Sequence, residues 1–395
     1  MPAPIDPATL APVLLPFGES RLLPREAYTD EDVFAWEAEH FFRRRWVCVA
    51  RSEELAQPGD QRAVRVGSGT ALLVRDREGV LRAFANTCRH RGHELLPCGS
   101  STNARAVVCP YHSWGYGLDG GLKAAPNFRH VPGFETSQYP LFGLACEEWE
   151  GYVFVNASGD AGPLADQLGD LGRILAPYGI ASLVTLASHE YVVDANWKVL
   201  SENYNECYHC TTIHPELCAV SPPDSGYDYE GEGVWVGGSM WLVDGGETMS
   251  LDGKSHGDLI PGLDDPRPTV GYLDVFPNLL VSVHPDYVMT HLLTPLSAGA
   301  TQVVCTWAFP ASSAQRPGFD PSYAVDFWDI TNRQDWDACE GVQRGLSARE
   351  WTPGPIAPEE TAVYEFDTLV ARGYLDQPLS ASRTHTRALD PHLAG

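Results

Sequence analysis

The sequence predicts an α+β chain in two parts. A compact all-β domain at 46–156 precedes an α+β domain at 157–395, and a helical segment at 1–45 packs on the latter. Three observations carry this. Short alternating or apolar runs separated by turn residues fill the first region. The second mixes helical and strand patterns, which implies a sheet with flanking helices. A length of 395 residues suits two or three domains.

The elements follow in order. AYTDEDVFAWEAEHFFRRRW (27–46) has Phe34, Ala35, Ala38, Phe41 and Phe42 at helical spacing. Thr29 or Asp30 caps it, and Glu31 and Asp32 suit its positive end. RAVRVGSG, TALLVRD and LRAFANT read as strands, with a hairpin turn at DREG (76–79). This texture lasts to Tyr152–Asn156. LADQLGDLGRILAPYG is helical with a stop at Gly179. TLASHEYVVDA is a strand, and NWKVLSENYNECYHCTTIH a helix. Residues 222–266 are dense in Gly, Pro and Asp around the apolar island VWVGGSMWLV, and read as a lid or a surface loop. LLVSVHPDYVMTHLLTPL and TQVVCTWAF are paired strands, and YAVDFWDITNRQDWDACEGVQRGLSA is a long helix. The tail from about 378 is irregular, and no internal repeat occurs.

Composition removes several function classes. Lys+Arg 27 against Asp+Glu 52 gives 27 − 52 = −25, which repels phosphate backbones and argues against a nucleic-acid binder. No run of 18 apolar residues occurs. The opening MPAPIDPATLAPVLLPFGESR has no basic residue before Arg21 and prolines within its apolar part, unlike a signal peptide. A cytoplasmic location is expected. The ten cysteines are expected as buried thiols or metal ligands rather than disulfides.

NTCRHRGHELL and VVCPYHSWGYG contain Cys88-x-His90, eighteen residues, then Cys109-x-x-His112. Two thiolates and two imidazoles in short pairs make a metal site. Gly92 and Pro110 help each pair sit on one tight loop. Structural zinc fits such a set, and so does a [2Fe–2S] centre with two Cys on one iron and two His on the other. Zinc pairs are usually of one kind, whereas here each loop supplies one Cys and one His. That mixed order resembles the Rieske ferredoxin-like domain. Respiratory Rieske proteins carry an extra cysteine in each loop, where this chain has His93 and Tyr111, so the resemblance is to the oxygenase and ferredoxin type. Trp114 and Tyr116 follow the last ligand as packing or redox-tuning aromatics, and Cys98 is a spare thiol.

A second constellation lies in the NWK…HCTTIH segment. Glu206 and His209, three apart, share a helix face. His214, five further on, requires the helix to bulge or end after about Cys210, which Thr211-Thr212-Ile213 and Pro215 suit. Two histidines and one carboxylate form the facial triad of non-haem Fe(II), with positions left for O2 and substrate. A one-electron donor beside an O2-activating iron is chemically coherent. Together these motifs resemble the Rieske non-haem iron oxygenase family, catalytic α subunit, over nearly the whole chain.

The resemblance implies a Rieske domain inserted into or preceding a helix-grip catalytic domain with a large antiparallel sheet. Cys88, His90, Cys109 and His112 would hold the [2Fe–2S] cluster, and His209 and His214 the Fe(II). NRQDWDACEGVQRGL is similar to the family's D-x4-E-x2-Q-x-G pattern, which makes Asp335 the third ligand, with Asp337 as the fallback. The acidic residue three before the first His bridges the cluster of one subunit to the iron of the next. It is usually Asp, and Glu206 here is similar to the branch acting on quaternary ammonium compounds. That branch implies a homotrimer, O2 as co-substrate, and NAD(P)H electrons through a separate flavin/iron–sulfur reductase. No G-x-G-x-x-G fingerprint in the chain follows a strand and opens a helix.

LPREAYTDEDVFAWEAEHFF, Glu206 and HPDYVMTH (284–291) look like enzymes of glycine betaine, choline, carnitine or stachydrine. Oxidative N-demethylation with release of formaldehyde is therefore expected. Aromatic-ring dioxygenation and O-demethylation are the alternatives. Trimethylammonium groups favour aromatic cages, and the candidates are Tyr204, Tyr208, Trp235, Trp241, Phe276 and Tyr287, with Asn203 as a polar contact. No Lys or Arg occurs between Arg267 and Arg316, so an Arg clamp from those strands is excluded and choline-like or neutral substrates stay open.

Overall fold

The computed structural model describes residues 2–263 and 269–380. The last three residues of the 222–266 stretch and most of the expected irregular tail lie outside this range. The chain forms two compact units, Glu37–Leu164 and a second built from the residues before Glu37 and from Ala165 onward.

In the first unit the end of helix α1 (Glu31–His40) leads into the sheet. The Asp30 carboxylate starts this helix by accepting from the N–H of Asp32 (2.8 Å) and Val33 (3.4 Å). The compact unit also takes in residues 37–45, which hydrogen bonds tie to residues 156 and 157. The Ala157 N–H donates to the Arg43 carbonyl (2.9 Å), and the Asn156 amide donates to the Arg44 carbonyl (3.1 Å). Gly67, at φ +56°, lets its turn lie against Ala38, where a Cβ would stand 2.2 Å from the Ala38 oxygen.

Ten strands follow: β1 (Val47–Arg51), β2 (Asp60–Val66), β3 (Gly69–Arg75), β4 (Leu81–Ala85), β5 (Ser101–Asn103), β6 (Val107–Val108), β7 (Gly115–Tyr116), β8 (Leu122–Ala124), β9 (Gly143–Trp149) and β10 (Tyr152–Asn156). One antiparallel sheet runs β1-β10-β9-β4-β3-β2-β5, and a small one runs β6-β7-β8. The turn at 76–79 closes on the Asp76 side chain, which accepts from the N–H of Glu78 and Val80. Leu72, Val74 and Phe84 of the large sheet pack with Cys88, Cys109, Trp114 and Tyr116 in one core. The two Cys/His loops thus stand on a rigid base.

The second unit is organised by β11 (Val184–Val193), β12 (Tyr227–Asp228), β13 (Trp235–Trp241), β14 (Thr269–Val275), β15 (Leu279–Val283), β16 (Val288–Ser297) and β17 (Ala300–Phe309). Their order is β11-β17-β16-β15-β14-β13-β12, all antiparallel. Hairpins join β14 to β17 in succession, and the first strand closes on the last. The helices that bear on the site are α2 (Trp197–Tyr204), α3 (Cys210–Ile213), α4 (Pro215–Val220), α5 (Ser322–Leu346) and α6 (Thr361–Tyr374). No described helix is long and apolar enough to cross a membrane.

Three elements differ from the sequence reading. The expected helix over 164–179 breaks into pieces, Leu164–Leu168 and Gly172–Leu175, at the left-handed Gly169. The NWK helix ends at Tyr204, well before Cys210. Helix α6 was not expected; all of its residues but Arg372 are buried.

Helix α2 is anchored by buried polar groups. Asn196 caps it, accepting from the Lys198 N–H (3.1 Å), and donates to the carbonyls of Tyr28 (3.2 Å) and Ala298 (2.8 Å). Gln343 of α5 accepts from the Asn196 N–H (3.0 Å). Below, the Tyr28 hydroxyl donates to Glu202 (2.6 Å) beside Asp367, and Lys198 lies over the Tyr28 and Trp197 rings. Burial pushes the Glu202 carboxyl up to about 7. These contacts fix α2 against α5 and α6, and so fix the segment that follows α2.

Candidate metal centres and substrate cavity

The two loops of the first unit are built alike. The Cys88 N–H donates to the His93 carbonyl (2.9 Å), and the Gly92 N–H returns to the Cys88 carbonyl (3.0 Å). The Cys109 N–H donates to the Trp114 carbonyl (2.9 Å), and the Ser113 N–H returns to the Cys109 carbonyl (3.0 Å). The fifth residue of each loop has positive φ, Gly92 at 73° and Ser113 at 57°. Cys88 and Cys109 are 2% and 1% exposed. The His90 and His112 rings lie 4.7 Å apart, and His90 stacks on Trp114 at 4.9 Å. Burial, with Cys88 beside it, pushes the Cys109 thiol up in the absence of a metal. The buried Nδ1 of His90 has no partner among the described residues. Two buried thiols, two adjacent imidazoles and an orphaned ring nitrogen fit a cluster ligated by both residue types. The Tyr116 hydroxyl lies 3.3 Å from Cys88 Sγ and accepts from the Arg89 N–H (3.0 Å).

In the second unit Glu206 and His209 lie in the turn between α2 and α3, not on one helix face as expected. The Glu206 carboxylate accepts from the backbone N–H of Tyr208 and of His209 (3.1 Å). That local bonding displaces the helical pattern. His214 is the hinge between α3 and α4, with φ −120° and ψ 66°. Cys207 and Cys210, expected as thiols, are joined in a disulfide within this turn.

Three donor atoms converge here. His214 Nε2 is 3.2 Å from His209 Nε2 and 2.8 Å from Asp335 Oδ1, and His209 Nε2 is 3.4 Å from that oxygen. Three facial ligands at about 2.1 Å from one octahedral ion lie about 3 Å apart, so the set fits a single first-row metal. The outer contacts turn both Nε2 atoms inward. His209 Nδ1 donates to Glu206 Oε1. His214 Nδ1 donates to Gln334 Oε1 (2.7 Å), whose own amide donates to Glu216 (3.3 Å). Burial opposes charge on His209, but Asp335 and Glu206 outweigh it and hold its pKa up to about 9 without metal. Burial also opposes charge on Asp335, yet the two imidazoles keep its pKa low. Asp337, the fallback, is exposed and lies outside the triad. Gln334 was missed, and nothing in its local sequence marks it.

The triad opens into a cavity of about 270 Å³. Of the expected substrate residues, Asn203 and Tyr204 line it. Trp235, Trp241, Phe276 and Tyr287 do not. The Trp235 indole donates to the Glu232 carbonyl (2.9 Å), and Phe276 packs on Trp197 and Phe366. Trp241 meets the Tyr227 ring at 6.0 Å, and the Tyr287 hydroxyl serves the Met249 carbonyl and the Trp328 indole, both at 2.7 Å. Tyr208, another aromatic candidate, is exposed. The aromatic wall is instead Tyr204, Tyr227, Tyr272, Trp328 and Trp336, with His291 of β16.

The Rieske [2Fe-2S] domain model matches residues 45–135, and the model of the ring hydroxylating alpha subunit (catalytic domain) matches residues 180–375. The chain is 28% identical over 377 residues to the glycine betaine monooxygenase oxygenase subunit of Chromohalobacter salexigens, covering 88% of this chain and 83% of that protein. It is 42% identical over 195 residues to the carnitine monooxygenase oxygenase subunit of Acinetobacter baumannii, an alignment spanning 49% of this chain and about half (52%) of that protein. A crystal structure of the quaternary ammonium Rieske monooxygenase CntA in complex with L-carnitine superposes with TM-score 0.77 at 26% identity, covering 94% of this chain and 99% of that one.

Proposed function

From the membership of this chain in the Rieske non-haem iron oxygenases, we propose that it is the oxygenase component that N-demethylates a small quaternary ammonium compound, such as a glycine betaine-like molecule. The observation that carries this is the His209–His214–Asp335 triad opening on an aromatic cavity. Relatives named for glycine betaine and carnitine support it.

Cys88, His90, Cys109 and His112 would hold the cluster, and His209, His214 and Asp335 the iron. When bound, the iron supplies O2 activation and the cluster supplies single electrons. The residues around them bind and orient. Glu206 and Gln334 hold the two imidazoles in one tautomer. The aromatic wall excludes water and offers ring faces to a trimethylammonium group. One methyl C–H is oxidised: substrate, O2, two electrons and two protons give the N-hydroxymethyl compound and water. That compound then releases formaldehyde and a proton, leaving the tertiary amine. Electrons come from NAD(P)H through a separate flavin/iron–sulfur reductase. In this reading Glu206 also links a neighbouring subunit's cluster to His209 within a cytoplasmic homotrimer.

The test is the iron-loaded protein with a Rieske reductase, NADH and a panel of N-methyl compounds. Formaldehyde and the matching demethylated amine, in equal amounts, are expected. Ring diols from an aromatic panel, with no formaldehyde from the amines, would replace this reading.

A further inference from the structure

The disulfide between Cys207 and Cys210 encloses His209, since the bridged segment reads Cys207-Tyr208-His209-Cys210. Packing holds this segment only weakly. Tyr208 is 62% exposed, and Cys207 and His209 are half-buried. The backbone link beneath the bridge, from the Cys210 N–H to the Cys207 carbonyl, is at the long end of the hydrogen-bond range (3.2 Å). The Glu206 carboxylate ties the N–H groups of Tyr208 and His209, which precede Cys210.

Cys210 is the point where the backbones of the two iron-facing histidines meet. It follows His209 directly and opens α3. Its carbonyl accepts from the His214 N–H (2.9 Å) and from the Cys218 thiol (3.3 Å). By fixing Cys210 relative to Cys207, the bridge therefore fixes His209 relative to His214. In this disulfide form their Nε2 atoms lie 3.2 Å apart.

The bridge is also within reach of a small reductant. Both cysteines line the cavity. Cys210 is 2% exposed and Cys207 is the more open of the two, so exchange starts at Cys207. An accessible Cys-x-x-Cys bridge belongs to the exchangeable kind of disulfide rather than the structural kind. A dithiol delivers two electrons and two protons to it, leaving two thiols and becoming a disulfide itself. Hydrogen peroxide reverses the change: two thiols and one peroxide give the bridge and two waters.

We propose that Cys207–Cys210 is a reversible redox lock on the mononuclear iron site. The disulfide holds His209 and His214 at ligating separation, and its reduction by a dithiol loosens the iron. This rests on the reading that His209, His214 and Asp335 hold that iron.

The test starts from protein with its cluster in place and its mononuclear site empty. One portion is kept oxidised, and one is reduced with dithiothreitol and desalted without air. Each is then loaded with ferrous iron. Mass spectrometry of alkylated peptides reads the state of the bridge, and chelator competition reads the iron affinity. The reduced form should bind the iron about tenfold more weakly, the worth of a lost positioning contact. Reoxidation with hydrogen peroxide before loading should restore the affinity. Cys207→Ser should match the reduced form and change no further with dithiothreitol. The wild-type comparison and its reversal decide the matter if that variant does not fold. Equal affinity in the two wild-type forms overturns the inference and leaves the triad reading in place. A bridge absent from the oxidised protein, or intact after dithiothreitol, overturns it too. An equal loss of affinity on reducing Cys207→Ser assigns the effect to another thiol and overturns it as well. Iron that binds neither form beyond the cluster's own overturns the triad reading, and this one with it.

Discussion

Gln334 sets the orientation of His214. Its Oε1 accepts from His214 Nδ1 at 2.7 Å because its amide is committed to Glu216. The imidazole that presents Nε2 to the metal position is therefore held by the residue adjacent to Asp335 in the chain. Replacing Gln334 by Ala frees the ring to rotate and change tautomer. Iron affinity at the mononuclear position should fall about 10–100-fold, measured by chelator competition, with the cluster's visible spectrum unchanged.

In the proposed reading Asp335 is the anionic ligand of the iron, and Asp335→Ala removes it. Iron per chain should drop from about three to about two while the cluster's signal remains. Asp337→Ala should keep all the iron, because Asp337 is exposed and outside the triad. Iron retained in the Asp335 variant would dismiss Asp335 as a ligand.

Glu206 touches His209, so its removal tests positioning and electron transfer together. Glu206→Ala should retain both metals but lose most reductase-coupled turnover, with the cluster still reducible by dithionite. Full coupled turnover would rule out the bridging role. Glu206→Gln keeps an acceptor for His209 Nδ1 and separates the two roles: turnover still impaired assigns the loss to electron transfer, and restored turnover assigns it to positioning.

The Tyr116 hydroxyl near Cys88 Sγ can donate to a cluster-bound sulfur. Such a bond favours the reduced, more negative cluster. Tyr116→Phe should lower the potential by about 40 mV, the one-electron equivalent of about 1 kcal/mol, in a redox titration.

Asp274 is buried, and one of its carboxyl oxygens accepts from the Asn205 amide (3.0 Å). Burial raises its pKa from 3.8 to about 7. The folded state thus binds the extra proton between these values. The associated stability is present at low pH and lost as pH rises through about 7. Asp274→Asn should flatten this part of the profile, gaining on the order of 1 kcal/mol over the wild type at pH 8 relative to pH 5. Thermal melts at the two pH values measure it. A difference between the two proteins that does not change with pH would show that Asp274 is not the titrating group.

Local chemistry was legible in the sequence and distant packing was not. The Cys/His loops could be read because each pair closes within six residues, by hydrogen bonds between its own ends. His209 and His214 were legible as a pair, but Asp335 needed the resemblance to single it out from other acids on its helix. The helix face expected for Glu206 and His209 failed because the Glu206 carboxylate takes the backbone N–H groups that a helix would use. The aromatic wall was partly misassigned because Trp235, Phe276 and Tyr287 are as buried in the core as a pocket residue would be in the cavity wall. Composition cannot say which of these a strand places beside a cavity. Helix α6 escaped notice although Thr361, Glu365, Thr368 and Arg372 recur at helical spacing.

His214 and Asp335 stand 121 residues apart in the chain, with most of the antiparallel sheet between them. During synthesis the two histidines leave the ribosome well before the carboxylate. Until then they offer a bare two-imidazole site, which favours copper, nickel and zinc over ferrous ion. Asp335 reaches it only when α5 docks on the finished sheet. In the proposed reading, timing therefore bears on which metal the site takes up. The catalytic unit is safest when iron meets a chain that has already folded, and overproduction in iron-poor, zinc-rich medium is where it would be most often loaded wrongly.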